Sequence, residues 1–337
     1  MSVWQNSKFL AYQGRPRHAV YTVAARTALR PVASCSTTTT YLKCNAVRHF
    51  SNRPRAIVDD ITDEAFDILG TGQQTSPFTS RYNGFSLQDA YKVTAALRAK
   101  REARGERPVG RKIGFTNYDM WAEYDVHAPI WSYIYSTTVH DFSTAASATS
   151  TATGSFSLKG LAEPKIEPEI VFGLRKAPEP GMSEDDLLDC IDWVAHGVEV
   201  VQSVFPGWKF SAADTVAAYG LHGALLLGPR HSVHTDKRRA YRPPWKTALC
   251  RFSVQIGRDY GLQTMGRGTN VLGSPLKALG HLIDLLAKDP HNPPLMAGEM
   301  ITTGTLTPAL SVESGDTWFS RLHDMHLTNM RIHFEKN

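Results

Sequence analysis

The chain has 337 residues, 42% of them hydrophobic, 20% charged and 10% aromatic, a balance that excludes disordered, collagenous and coiled-coil chains. No run of about 18 apolar residues is present, so no membrane-spanning helix and no membrane partner are expected, and the length allows one large domain or two modest ones. The net charge of +5 does not point to nucleic acid: nine of the 37 basic residues fall in 1–58, which hold no acid, and the 28 that remain are outnumbered by 32 acids.

Residues 1–58 are rich in Arg, Ser and Thr, the composition of a mitochondrial transit peptide. The stretch RPRHAVYTVAARTALR can set Arg on one helical face and Val, Leu and Ala on the other, and Arg48-His49-Phe50-Ser51 resembles a matrix-protease site. The expectation is therefore a disordered leader over 1–58, cut near residue 50, and a mitochondrial matrix location. A single catalytic domain follows over 59–337, helical over 59–106 and β-rich over 107–337. Only Cys190 and Cys250 remain in that domain; far apart and without a CxxC, they form neither a zinc site nor a disulfide framework.

Asp60 is placed to cap a short helix through Ala65, Phe66, Ile68 and Leu69, ended by Gly70. Ser86 and Asp89 form a capping box before a helix through Leu87, Ala90, Val93 and Leu97, ended near Gly105. Segments 110–117, 164–174, 197–205, 219–228, 249–257 and 300–312 then read as strands or strand-turns. Between them, one helix starts at Ser183 and runs through Val194, and another has Ser274 as cap and Pro275 in its first turn. Helices first and then mostly strands predict an α+β fold. Residues 143–157 are low-complexity and 229–246 are basic and proline-rich, and both read as surface insertions.

The most informative segment is EPKIEPEIVFGL, residues 163–174. On a strand, Lys165, Glu167 and Glu169 share one face while Ile166 and Ile170 share the other. Two such carboxylates are either half of a site for a hard divalent cation or the solvated face of an edge strand, as Pro168 would suit. Glu199, the sole acid in WVAHGVEVVQSVF, is costly inside an apolar strand unless paired or metal-bound. Three carboxylates would suit Mg²⁺ or Mn²⁺ better than zinc. In GRKIGFTN, Lys112 stands between Gly110 and Gly114, either to pair a substrate carboxylate and move a proton or as a hairpin-surface lysine.

Taken in order, GRKIGFTN, PKIEPEI, VEVVQS, WKFSAADTVA, VLGSPLKALGHL and TTGTLTPALSVESGD resemble the fumarylacetoacetate hydrolase superfamily, in its hydratase/decarboxylase branch. The resemblance spans about 60–337 and implies a fumarylacetoacetate-hydrolase-like mixed β-sheet roll with flanking helices. It implies metal ligation by Glu167, Glu169 and Glu199, an active-site lysine at Lys112, a catalytic aspartate at Asp214, and a substrate-lining turn with Thr303 and Thr305. Thr116, Ile130, Trp131 and His222 join the substrate-binding candidates by their positions. A homo-oligomer and a small-molecule 2-oxo acid substrate are implied as well.

The chain departs from the family's pattern at Tyr219-Gly220-Leu221-His222, where an Asn-Ala-Ser-Ser-like run is usual, and at Thr303-Gly304-Thr305 in place of Thr-Gly-Gly. Pro129-Ile130-Trp131-Ser132 lacks the aspartate of hydratases and stands closer to decarboxylases. The activity implied is metal-dependent decarboxylation of a 2-oxo-3-enedioate. Hydration of 2-hydroxypenta-2,4-dienoate, C–C hydrolysis of an acylpyruvate and a catalytically silent binding homologue are the alternatives. Gly268–Gly273 lacks the Lys-Ser/Thr of a phosphate loop, and Ser203 and Ser211 lack an elbow motif. His323 with His326 reads as a surface pair, and Trp193, Trp208 and Trp318 as core or oligomer contacts.

Overall fold

A computed structural model describes residues 54–118, 121–122, 124–143, 151–234, 244–259 and 261–336. The helical part comprises α1 (Pro54–Ile68), the short α2 (Phe78–Arg81) and α3 (Leu87–Ala103). Ser86 and Asp89 make the expected capping box on α3, and Ile61, Ala65, Val93 and Leu97 pack with Val216 and Ala217 of α5 (Ala212–Ala217) in one apolar cluster. Helix α1 begins ahead of the expected Asp60 cap, so residues 54–58 belong to the folded domain and not to a disordered leader. Pro54 suits a first turn because that N–H would be unsatisfied anyway.

The rest is β-rich. One sheet runs β2 (Ile130–Tyr135), β1 (Pro108–Gly114), β11 (Met300–Thr302), β5 (Lys165–Leu174), β6 (Ile191–Val201), β7 (His222–Leu227) and β3 (Val139–Asp141), with β12 (Leu310–Ser311) also on β5 and β8 (His231–Ser232) on β6. A second runs β10 (Gly261–Arg267), β9 (Ser253–Arg258), β13 (Thr317–His323), β14 (Asn329–Phe334) and β4 (Thr151–Phe156). Val198, Val200 and Leu226 of the first meet Ile256, Trp318 and Ile332 of the second. Helices α4 (Glu184–Cys190), α6 (Trp245–Arg251) and α7 (Pro275–Leu286) close a further core in which Leu279, Leu282 and Leu286 pack with Ile170 and Phe172. This is the expected α+β mixed-sheet architecture.

Four local expectations give way to tertiary pairing. The helix expected from Ser183 to Val194 stops at Cys190, because IDWVAHGVEVV pairs along the whole of β5. Segment 249–257 divides into α6 and β9 rather than forming one strand. The low-complexity 143–157 supplies β4, whose parallel ladder to β14 buries Ala152 and seats Phe156 edge-on to Phe334 at 6.5 Å. The basic 229–246 holds β8 and buries Trp245; its centre, 235–243, lies outside the described residues.

His196 joins the two sheets. Its Nδ1–H donates to the Thr328 carbonyl at 3.2 Å, and Nε2 lies 2.9 Å from the Ser320 hydroxyl. Burial holds the ring's pKa down at about 4 against the ordinary 6.5, only partly offset by the Thr328 bond. The folded state therefore binds fewer protons than the unfolded chain between those values. Stability is full above pH 6.5 and falls as pH drops towards 4, by roughly 3 kcal/mol at 1.36 per unit. Urea unfolding of the wild type and of His196→Gln at pH 7 and pH 5 measures this; the variant is expected to lose less stability on acidification. Equal losses would refute the role.

Candidate metal centre and active site

Register builds the centre. Glu167 stands opposite Glu199, and Glu169 opposite Gly197, on antiparallel β5 and β6. Directly paired residues project to the same sheet face, so the three acids converge, with oxygens within 4.8 Å of one another. Lys112 of β1 enters from the side, its Nζ donating to the Gly220 carbonyl at 3.0 Å and lying 3.2 Å from Glu199 Oε2. Glu169 and Glu199 are fully buried and Lys112 nearly so, while Glu167 faces the cavity.

The charges are strongly coupled. Burial and repulsion from Glu199 and Glu167 hold Glu169 well above the usual carboxylate range. Burial pushes Glu167 up to about 7, against Lys112. Glu199 goes the other way: Lys112 and His222 overcome burial and hold it at about 2. Burial disfavours the Lys112 ammonium, yet the three glutamates raise its pKa and keep it charged.

Each buried glutamate has one oxygen held and one left over. Glu169 Oε2 accepts from the Gly304 N–H at 2.7 Å, and Glu199 Oε1 lies 2.6 Å from His222 Nδ1. Glu169 Oε1 and Glu199 Oε2 are buried and, among the described residues, receive no N–H or hydroxyl donor; what they can share is a proton between the two carboxyls. Converging carboxyl oxygens of this kind, in a set made only of carboxyls, fit a hard divalent ion such as Mg²⁺ or Mn²⁺, which would take the place of the protons held there. Gly304 has φ +98°, and a Cβ there would come within 2.1 Å of Thr116 Oγ1, so the donor loop admits only glycine.

A cavity of about 410 Å³ opens onto Lys112 and Glu167. Of the substrate-binding candidates, Thr116, Ile130 and Thr305 line it. Four other candidates sit elsewhere. Trp131, one residue along β2 from Ile130, projects to the opposite face and stacks on Tyr91 at 5.4 Å in the core. Thr303 is buried, its hydroxyl donating to the Ile170 carbonyl at 3.0 Å. His222 lies behind Glu199 rather than in the cavity wall. The carboxylate of Asp214 accepts from the Ser211 and Thr79 backbone N–H groups and from both hydroxyls, at 2.7–2.8 Å. Asp214 is thus a capping residue of α5, with its hydrogen-bonding capacity engaged away from the cavity.

Sequence reasoning missed the outer wall. Phe115, Tyr124 and Phe210 stack in series, at 4.7 and 5.7 Å, and Trp208 meets Phe210 at 6.1 Å. Lys165 places its ammonium 4.0 Å from the Trp208 ring in the same wall. The shared face of Lys165 with Glu167 was a signal for the lysine; nothing in the linear pattern marked Tyr124. Tyr219, Gly220 and Leu221 are all left-handed, φ +59 to +61°, at roughly 1–2 kcal/mol for each non-glycine. That turn presents the Gly220 carbonyl to Lys112.

No family model matches the chain. It is 29% identical over 252 residues to 2-hydroxyhexa-2,4-dienoate hydratase of Comamonas testosteroni, covering 74% of this chain and 88% of the relative. To 4-oxalocrotonate decarboxylase of Pseudomonas sp. (strain CF600) it is 30% identical over 240 residues, covering 71% and 82%. Among solved structures, 4-oxalocrotonate decarboxylase from Pseudomonas putida G7, complexed with magnesium and adipate, matches with a TM-score of 0.70 at 25% identity, over 83% of this chain and 97% of that one.

These relatives come from bacteria, which have no mitochondria, and that overturns the transit peptide and matrix location expected from residues 1–58. Residues 1–53, on which most of the expected leader falls, lie outside the described residues. The likeness runs instead through the domain that holds the glutamates. On fold, on length covered and on identity, the chain belongs to the hydratase/decarboxylase branch of the fumarylacetoacetate hydrolase superfamily, a group of lyases.

Proposed function

We propose that the protein is a Mg²⁺- or Mn²⁺-dependent lyase that decarboxylates a 2-oxo-3-enedioate. The observation that carries the choice of reaction is Ile130, 1% exposed and part of the cavity wall beside Lys112. An isoleucine transfers no proton, and water addition needs a group that activates water. A divalent ion bound by Glu167, Glu169 and Glu199 supplies Lewis-acid stabilisation of negative charge on a 2-oxo group. The chain's own residues do the rest. Lys112, charged, donates one N–H to the Gly220 carbonyl and lies 3.2 Å from Glu199 Oε2, which leaves N–H donors for a substrate anion or proton delivery. Ile130, Val201 and Leu221 exclude water around the departing carboxylate. Lys165 supplies positive charge in the cavity wall for a second carboxylate.

Hydration of a 2-hydroxydienoate is the second reading, favoured by the hydratase relative at 29% identity. An acylpyruvate hydrolase has less support, because neither Asp214 nor His222 lines the cavity as a base. A homo-oligomer belongs to the same proposal: Leu262 and Met265 are exposed on β10, at one end of the second sheet. Light scattering measures it. With Mg²⁺ present, CO₂ release from 2-oxo-3-hexenedioate is expected to outpace hydration of 2-hydroxypenta-2,4-dienoate. Ile130→Asp is expected to slow CO₂ release by setting a second anion against the distal carboxylate. Ready hydration with no CO₂ from the diacid would leave the hydratase standing and the decarboxylase refuted.

A further inference from the structure

We infer that His222 is a positioning residue for the metal ligand Glu199, holding one carboxylate oxygen so that the other stays available to the ion. The inference rests on the metal-centre reading of the three glutamates. Backbone geometry brings the ring there. Strands β6 and β7 pair Glu199 with Leu225 and Val200 with Ala224, and then slip, so that Val201 faces His222. The slip is a β-bulge with Gly223 as its extra residue. Without it, alternation would send His222 to the face opposite Glu199. Gly223 suits the bulge, because a Cβ there would lie 2.7 Å from the Val200 carbonyl.

The side chain is pinned at both nitrogens. Nδ1 lies 2.6 Å from Glu199 Oε1, and a carboxylate neighbour requires the proton on that nitrogen, so Nδ1–H donates. Nε2 lies 2.9 Å from Thr138 Oγ1, and that hydroxyl is 3.0 Å from the Tyr135 carbonyl. A chain of contacts thus runs from Glu199 through His222 and Thr138 to the end of β2. Glu199 has three rotatable bonds and a lysine 3.2 Å away. Freed from His222, its carboxylate could turn both oxygens onto Lys112. With Oε1 engaged, Oε2 is the one oxygen left between the lysine and the ion. Outer partners of this kind typically matter 10–100-fold in metal affinity.

Calorimetric titration of the metal-free protein with Mn²⁺ tests this without any turnover. His222→Leu is expected to weaken binding by about 10–100-fold. His222→Asn, whose amide N–H falls where the ring Nδ1–H was, is expected to recover most of the loss. Rescue by asparagine separates positioning from mere packing. Wild-type affinity in His222→Leu, alongside lost binding in Glu199→Gln, would overturn the inference and leave the metal centre intact. Absence of Mn²⁺ binding in the wild type would overturn the metal reading and this inference with it. Should His222→Leu fail to fold, Thr138→Val and His222→Gln test the two links: a several-fold loss is expected in Thr138→Val and a larger one in His222→Gln, which has no donor where the ring Nδ1–H was, and wild-type affinity in both would overturn the inference.

Discussion

Replacing Glu167, Glu169 or Glu199 by glutamine is expected to weaken Mn²⁺ binding by more than about 100-fold, beyond what loss of an outer partner causes. Each change removes a charge and almost no volume, so the fold is expected to survive. Glu169 and Glu199 matter most, since each leaves a buried oxygen with no donor. In the wild type, Mg²⁺ at a hundred times its Kd is expected to add about 2.7 kcal/mol of stability. Binding must also depend on pH. The ion displaces a proton from Glu167, whose pKa burial raises to about 7. Displacement at that group alone weakens affinity about tenfold between pH 8 and pH 6. Calorimetry at the two pH values in buffers of different ionisation heat counts the released proton. Unchanged affinity in all three variants would mean that the acids bind no ion and would favour a catalytically silent protein.

Lys112→Met is expected to lower kcat by about 10²–10⁴, the usual worth of a positioned proton-transfer group, while leaving Mn²⁺ binding intact or tighter. The two effects separate because Lys112 competes with the ion for Glu199: its ammonium lies 3.2 Å from Oε2, the oxygen that lacks a hydrogen-bond donor. Removing the ammonium takes away both the proton carrier and the competing cation. A parallel fall in metal affinity and kcat would show that Lys112 mainly organises the carboxylates. A fall in kcat alone would place it at the substrate. Retained kcat would remove it from the reaction.

Much of this was legible in the order of residues along the chain. Local rules placed the Ser86 and Ser274 caps, because a cap is a bond between residues three apart. Period two set Glu167 and Glu169 on one face of β5, and the cost of burying a lone acid singled out Glu199. What the linear order did not contain was register. Trp131 and Ile130 differ by one position, and one position is a whole face of a sheet, so only the placement of β2 decides which of them lines the cavity. His222 needed a bulge to reach Glu199. Asp214, an aspartate in a segment with catalytic associations, turned out to bond to Ser211 and to Thr79 on another helix. The pattern of residue types thus names the chemistry available, since burial and charge act on each residue wherever it sits. Which side chains share it depends on pairings between strands distant in sequence, and those follow from packing the whole chain.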